Sequence, residues 1–383
     1  MFRIKKSFVL IAIIIIFILL TLCVQTIPKM QYYSKMRQSN LVELEALVKE
    51  YPNYPEAYIL LGEKYGKSIP EKAAFNYKKA VEIVNNKKFE AAMDEYIAAA
   101  YLKNGNVVEA VEYYSNPILI KNNLTTNILL ANILQTIGRY DEAIYVLDSF
   151  EKNDFWSLAS AEPDMFSRMR LEFWYNILSS FDDGSYAKNM ILHAKAIVYY
   201  EKGDYENALY CLNELLKNSN NIPVSLFLRI YTAMGDLKNA EKYYKILNKY
   251  ERSQNFMDNY SKALYYMALK DYKKSENIFR DMSNISNKDL DSDRISKALY
   301  GFYGLGALNI EKGNYKEATK YFQKVLEYRP YYYNAVVKLA ECYKKTNDLK
   351  NYNKYNLKIK ALLTYWKRPI NIYRSFLYFI LRN

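Results

Sequence analysis

Glycine recurs along this chain at a nearly constant step, and that recurrence limits the folds open to it. Gly105 and Gly138 are 33 residues apart, Gly203 and Gly235 are 32 apart, and Gly138 to Gly203 is 65, about two steps. Gly313 is followed after 34 residues by Asn347. Gly235 to Gly313 spans 78, and the excess over two steps is assigned to the polar stretch 283–294. Glycine is the residue that most readily ends a helix with a left-handed turn. A fixed step of this size predicts one supersecondary unit copied along the chain.

Residues 302–330 show the unit most clearly. Phe302, Leu305, Gly306 and Asn309 share one helical face, Gly313 breaks the run, and Ala318, Phe322 and Val325 line a second helix that stops before Pro330. Gly306 and Ala318 are small, which lets the paired helices cross closely. Corresponding units use Tyr58, Leu61, Gly62, Tyr65, Ala73, Tyr77 and Ala80; then Ile97, Ala98, Tyr101, Ala110 and Tyr114; then Leu130, Ala131, Leu134, Ala143 and Leu147. Further on come Leu192, Ala196, Tyr199, Ala208 and Leu212, and Phe227, Leu228, Tyr231, Ala240 and Tyr244. A weaker unit has Ala263, Tyr266, Asp271, Ser275 and Phe279, and the last has Val336, Leu339, Ala340 and Tyr343. A degenerate unit is expected near 155–181. Residues 41–50 read as the second helix of a repeat that lacks its first.

This pattern resembles the tetratricopeptide repeat (TPR), over most of residues 41–358, as about eight to nine repeats. The resemblance implies an all-α fold, a right-handed α-solenoid of helix hairpins. It also implies a protein partner in a concave groove lined by the first helix of each pair. Carried onto this chain, that groove includes Ile128, Asn132, Gln135, His193, Ile197, Tyr200, Ser225, Arg229, Tyr300, Tyr303 and Ile310. Some TPR proteins clamp a C-terminal carboxylate with Lys, Arg and Asn on adjacent repeats; that set is not found here, where Asn132 and Arg229 stand isolated. A lone hairpin buries too little apolar surface to offset roughly 1–2 kcal/mol of chain entropy per residue. At least about three must stack, with polar ends.

Residues 1–6 are basic, and residues 7–27, SFVLIAIIIIFILLTLCVQTI, form an uncharged run. That run is about the length a helix needs to cross ~30 Å of hydrocarbon. We read it as an uncleaved transmembrane anchor, followed by a tether over 28–40. Two alternatives stay open. One is a lipid-modified Cys23, since Leu20-Thr21-Leu22-Cys23 resembles a lipobox; the other is ordinary signal cleavage. A short basic N-terminus predicts a cytoplasmic start with the body outside the inner membrane, in the periplasm of a bacterial envelope. The expected role is a scaffold for assembly of an envelope complex of secretion, outer-membrane assembly or flagellar collar type. The alternatives are a lipoprotein-type periplasmic chaperone, or a receptor with its array in the cytosol.

Charge points the same way. The net +13 divides into +6 before Glu43, +8 after Asp348 and −1 between them. A nucleic-acid binder carries its basic residues along its body, so none is expected as a partner. Basic ends on a neutral body fit an anionic membrane surface. The tail, 359–383, reads as a basic, aromatic amphipathic helix, with Lys367, Arg368, Arg374 and Arg382 as candidate membrane-surface contacts. A cap on the last repeat is the alternative.

No chemistry is expected. His193 is the only histidine, and Cys23, Cys211 and Cys342 are scattered, so neither a His-based triad nor a metal cluster is assembled. Gly301, Gly304 and Gly306 lie within a repeat helix, not after a strand, so they are no nucleotide loop. Asp289, Asp291 and Asp293 open like a calcium loop, but Arg294 and Tyr300 stand where its glycine and glutamate belong. The chain is expected to hold no cofactor.

Overall fold

The computed structural model describes residues 36, 39–151, 185–218, 222–249, 255–285 and 292–364. The anchor 7–27, most of the tether, the degenerate repeat at 155–181, Cys23, Asp289, Asp291 and the four basic tail residues lie outside the described residues. Every described element is an α-helix or a turn between helices. In order they are α1 (Leu41–Glu50), α2 (Pro55–Tyr65), α3 (Pro70–Val84), α4 (Lys87–Lys103), α5 (Val107–Tyr114), α6 (Pro117–Asn122), α7 (Leu124–Thr136) and α8 (Tyr140–Asp148). Then follow α9 (Ser185–Lys202), α10 (Tyr205–Asn218), α11 (Val224–Met234), α12 (Leu237–Lys249), α13 (Phe256–Ala268), α14 (Tyr272–Ser283), α15 (Ser292–Glu311), α16 (Tyr315–Tyr328), α17 (Tyr333–Lys345) and α18 (Leu349–Thr364). None of these is long and apolar enough to cross a membrane.

The predicted turns exist, and one device builds them. Gly105, Gly138, Gly203, Gly235 and Gly313 all have φ between 75° and 85°. At each, the next residue's amide reaches back to close the helix end: Asp204 N donates to Tyr199 O at 2.9 Å and Asn314 N to Asn309 O at 2.8 Å. That six-to-one bond satisfies carbonyls a helix end otherwise leaves open. Three turns use non-glycine residues, Lys270 and Asn347 at φ 61° and Asn85 at φ 48°. The left-handed residue of the weaker unit is therefore Lys270, one before the Asp271 that the sequence pattern marks. Asp236, Asp271 and Asp348 then cap the following helix through their side chains. Side-chain bonds from Asn239, Lys274 and Asn351, and after them those backbone bonds, hold the three carboxyls below the usual aspartate range.

The chain divides into two compact units, Met1–Asn127 with Phe150–Asp183, and Ile128–Ser149 with Gly184–Asn383. In the first unit Asn40 caps α1 in a reciprocal pair with Glu43. Its core holds Leu44, Leu61, Ala73, Tyr77, Ala80, Phe89, Met93 and Ile97. A short helix, α6, was not foreseen; Pro117 starts it and the Asn116 side chain caps it. In the second unit α9–α10, α11–α12, α13–α14, α15–α16 and α17–α18 are hairpins, each packed on the next. The last two share a core in which Phe302, Ala318, Phe322, Val325, Leu339 and Cys342 are buried.

Small residues set the helix spacing. A methyl built on Gly304 would overlap the Phe279 ring, and one on Gly306 would lie 2.7 Å from Phe322 Cζ. Cys211 and Cys342 are buried thiols inside helices, and burial pushes both pKa values up to about 11. They fill space and are poor nucleophiles.

Candidate functional site: the tyrosine-lined face of the second unit

The first helices α9, α11, α13 and α15 of successive hairpins bring polar and aromatic side chains together inside the second unit. Arg229 on α11 is 5% exposed, and its guanidinium lies over the Tyr200 ring, 5.1 Å from the centroid. Tyr260 of α13 meets Tyr300 of α15 at 4.9 Å, and Tyr303 meets Tyr332 at 5.7 Å, both edge to face. Glu201 of α9 accepts a 2.7 Å bond from Asn334 Nδ2 of α17, and Tyr140 OH donates to Asn334 Oδ1 at 2.9 Å. These two bonds join residues 133 and 194 apart in sequence. The Tyr333 ring also presses on Gly138, so the unit's first turn meets its last hairpin.

Buried polar groups are normally paired. Arg229 Nε is buried without an acceptor. Tyr260 is buried and Tyr200, Tyr300, Tyr303 and Tyr332 are half-buried, and their hydroxyls make no hydrogen bond to a described residue. Donors in that state call for water or for the carbonyls and carboxylates of a bound chain.

The titratable groups are shifted mainly by burial. Burial raises the pKa of Glu201, against Arg229 and the Asn334 bond, and raises that of Asp258, against Lys262, Ser225 and Arg229. It lowers that of His193, and the nearby Arg229 lowers it further. The signs oppose. The two carboxyls contribute stability that is complete below their ordinary pKa and lost as pH rises through the folded value. His193 contributes stability lost as pH falls below its ordinary value. Glu201→Gln keeps an oxygen for Asn334 and removes a buried charge, so its Tm at pH 7 is expected to rise and its decline from mildly acidic to neutral pH to flatten. Asn334→Ala strands the carboxylate and is expected to cost about 1–3 kcal/mol in urea unfolding at pH 7.

Of the groove residues expected from the sequence, the structure brings Tyr200, Arg229, Tyr300 and Tyr303 into this cluster. Ser225 beside Asp258 and His193 beside Arg229 adjoin it. Ile197 packs on the α9–α11 core and Ile310 on the α15–α17 core. Ile128, Asn132 and Gln135 lie on α7, Asn132 exposed, and no side-chain hydrogen bond ties them to the cluster. Sequence reasoning missed Tyr140, Glu201, Asp258, Tyr260, Tyr332 and Asn334. Glu201 was within reach, standing eight residues after His193 on the same helical face. No group of His, Cys, Asp and Glu among the described residues is arranged to hold a metal ion.

Residues 309–350, from the end of α15 through α17, match the tetratricopeptide repeat family. The array is TPR-like. A TPR repeat-containing protein of Methanocaldococcus jannaschii is 24% identical over 287 residues, covering 74% of this chain. The chain spans 43% of that relative's length. Among solved structures, the APC/C hetero-tetramer Cut9–Hcn1 aligns over 89% of this chain and 72% of that one, at 13% identity and a TM-score of 0.40. The TPR domain of P58(IPK) aligns over 80% of this chain and 83% of that one, at 17% identity and a TM-score of 0.21. The TPR-like hairpins of the second unit thus carry the tyrosine-lined face.

Proposed function

We propose that the chain is a membrane-anchored, TPR-type scaffold that holds a protein partner against the tyrosine-lined face of its second unit. The observation that carries this reading is the set of donors there: Arg229 Nε, buried without an acceptor, and five phenol hydroxyls with no hydrogen bond to a described residue. Stacked hairpins present these donors on one face, which supports a binding role. The solenoid is right-handed in this reading, with the body in the periplasm and the complex it serves in the bacterial envelope. The support for the anchor is the uncharged run at 7–27 behind Arg3, Lys5 and Lys6, and for surface contact the basic tail.

The membrane part has its own test. After alkaline extraction of membranes, the full chain is expected in the pellet and a variant lacking residues 7–27 in the supernatant. A C-terminal tag that is protected from protease added outside the inner membrane would reverse the orientation, placing the array in the cytosol. Lipid mass on Cys23 would replace the spanning anchor with a lipid one.

A further inference from the structure

The second unit closes on itself mainly through side chains. Tyr140 begins α8 and Asn334 lies in the first turn of α17, 194 residues on, yet Tyr140 OH donates to Asn334 Oδ1 at 2.9 Å. The other end of the same amide, Nδ2, donates to Glu201 Oε2 of α9 at 2.7 Å. One asparagine thus ties two helices at the front of the unit to a hairpin at its back. The neighbouring Tyr333 ring meets Tyr140 edge to face at 6.2 Å and presses on Gly138. No broad main-chain packing joins α17 to α8 or α9, whereas each hairpin packs directly on the next. This seam is the slightest in the unit.

The seam lies against the tyrosine-lined face. Burial raises the pKa of Tyr200, Tyr260, Tyr300, Tyr303 and Tyr332, and the charge of Glu201 adds to the rise at every one. Tyr140 is near enough to Tyr303 to act on it in the same sense. The rings of the face pack on one another, on Phe256 and on Phe322. Arg229 and Tyr260 at its floor are only 5% and 6% exposed. With the seam made, the face is largely shut.

We infer that the Tyr140–Asn334–Glu201 contact is an autoinhibitory clasp: it holds the second unit closed over its tyrosine-lined face, and a protein partner gains that face when the clasp opens. The inference rests on the scaffold reading and adds how access to the same site is controlled. Opening is local. Two hydrogen bonds and a ring pair separate while the hairpin cores keep their packing, so the open form is reached by ordinary fluctuation. A partner that binds the open form alone pulls the equilibrium towards it, and its apparent affinity is reduced by the fraction that is open. Weakening the clasp raises that fraction and tightens binding.

The test is hydroxyl-radical footprinting of the full chain in detergent, read by mass spectrometry at single residues. Tyr140→Phe removes one hydroxyl and keeps the ring, whereas Asn334→Ala removes both bonds. Oxidation of Tyr303 and Tyr332 is expected to rise about threefold in the first variant and about tenfold in the second, as the loss of one or two modest bonds shifts a two-state equilibrium. Phe279 and Phe322, buried in the hairpin cores, are expected to stay protected in both. Unchanged protection of Tyr303 and Tyr332, or a rise that Phe279 and Phe322 share, overturns the inference. A photo-crosslinker at Tyr303 in cells, with and without Tyr140→Phe, separates the levels. More adduct with the substitution supports the clasp, and equal adduct overturns it. No adduct from either removes the scaffold reading, while the footprint still decides whether the unit opens.

Discussion

Gly301→Leu is expected to lower stability by about 3 kcal/mol or more, at the upper end of what overpacking costs. A methyl at this position on α15 would lie 2.5 Å from Ser283 N, 2.8 Å from Met282 C and 2.9 Å from Phe279 O. All three are main-chain atoms at the end of α14, so no side-chain rotation relieves the clash; the helices must separate. Even Gly301→Ala is expected to lose about 1–2 kcal/mol, although alanine is favoured over glycine by ~1 kcal/mol inside a helix. Urea midpoints of the two variants against the parent decide it. A gain in stability for the alanine variant would mean that α14 and α15 are not in close contact.

The second large effect is Phe322→Ala, expected to cost about 3–5 kcal/mol. The ring is fully buried among Phe302, Val325 and Leu339, and it occupies the space that Gly306 leaves open. The pair is therefore coupled. Gly306→Ala harms the parent, because its methyl would lie 2.7 Å from the ring, and is expected to be nearly harmless once the ring is gone. A double-mutant cycle should return an interaction of about 1 kcal/mol or more in favour of the double variant. Strict additivity would show that the two helices do not interlock there.

Much of the fold was legible because a hairpin repeat writes its constraints locally. Each turn needs a left-handed residue and each crossing a small one, and glycine and alanine advertise both. The signal weakened where other residues met the same need. Lys270 accepts a left-handed turn at a cost its neighbours bear, and Asn85 does so between α3 and α4. The helix α6 escaped notice because six residues hold less than two turns of periodicity.

The candidate face was legible in part for the same reason. Tyr200, Arg229, Tyr300 and Tyr303 sit on first helices, at positions that a repeat pattern ranks. Tyr332 precedes its helix and Tyr140 begins a second one, so no helical face predicts either. The Asn334 bonds to Glu201 and Tyr140 depend on how the stacked hairpins of this unit bring its ends together. That sums small rotations from one pair to the next, and no local spacing in the sequence encodes it.

The central claim is that a protein partner is held on the tyrosine-lined face of the second unit. The most direct measurement replaces Tyr303 with p-azidophenylalanine, close in shape to tyrosine, and compares it after illumination in living cells with the same probe at Tyr210, 63% exposed on α10. The account predicts a discrete higher-mass adduct from position 303 and none from 210. Adducts from 210 alone, or from both positions alike, would contradict it.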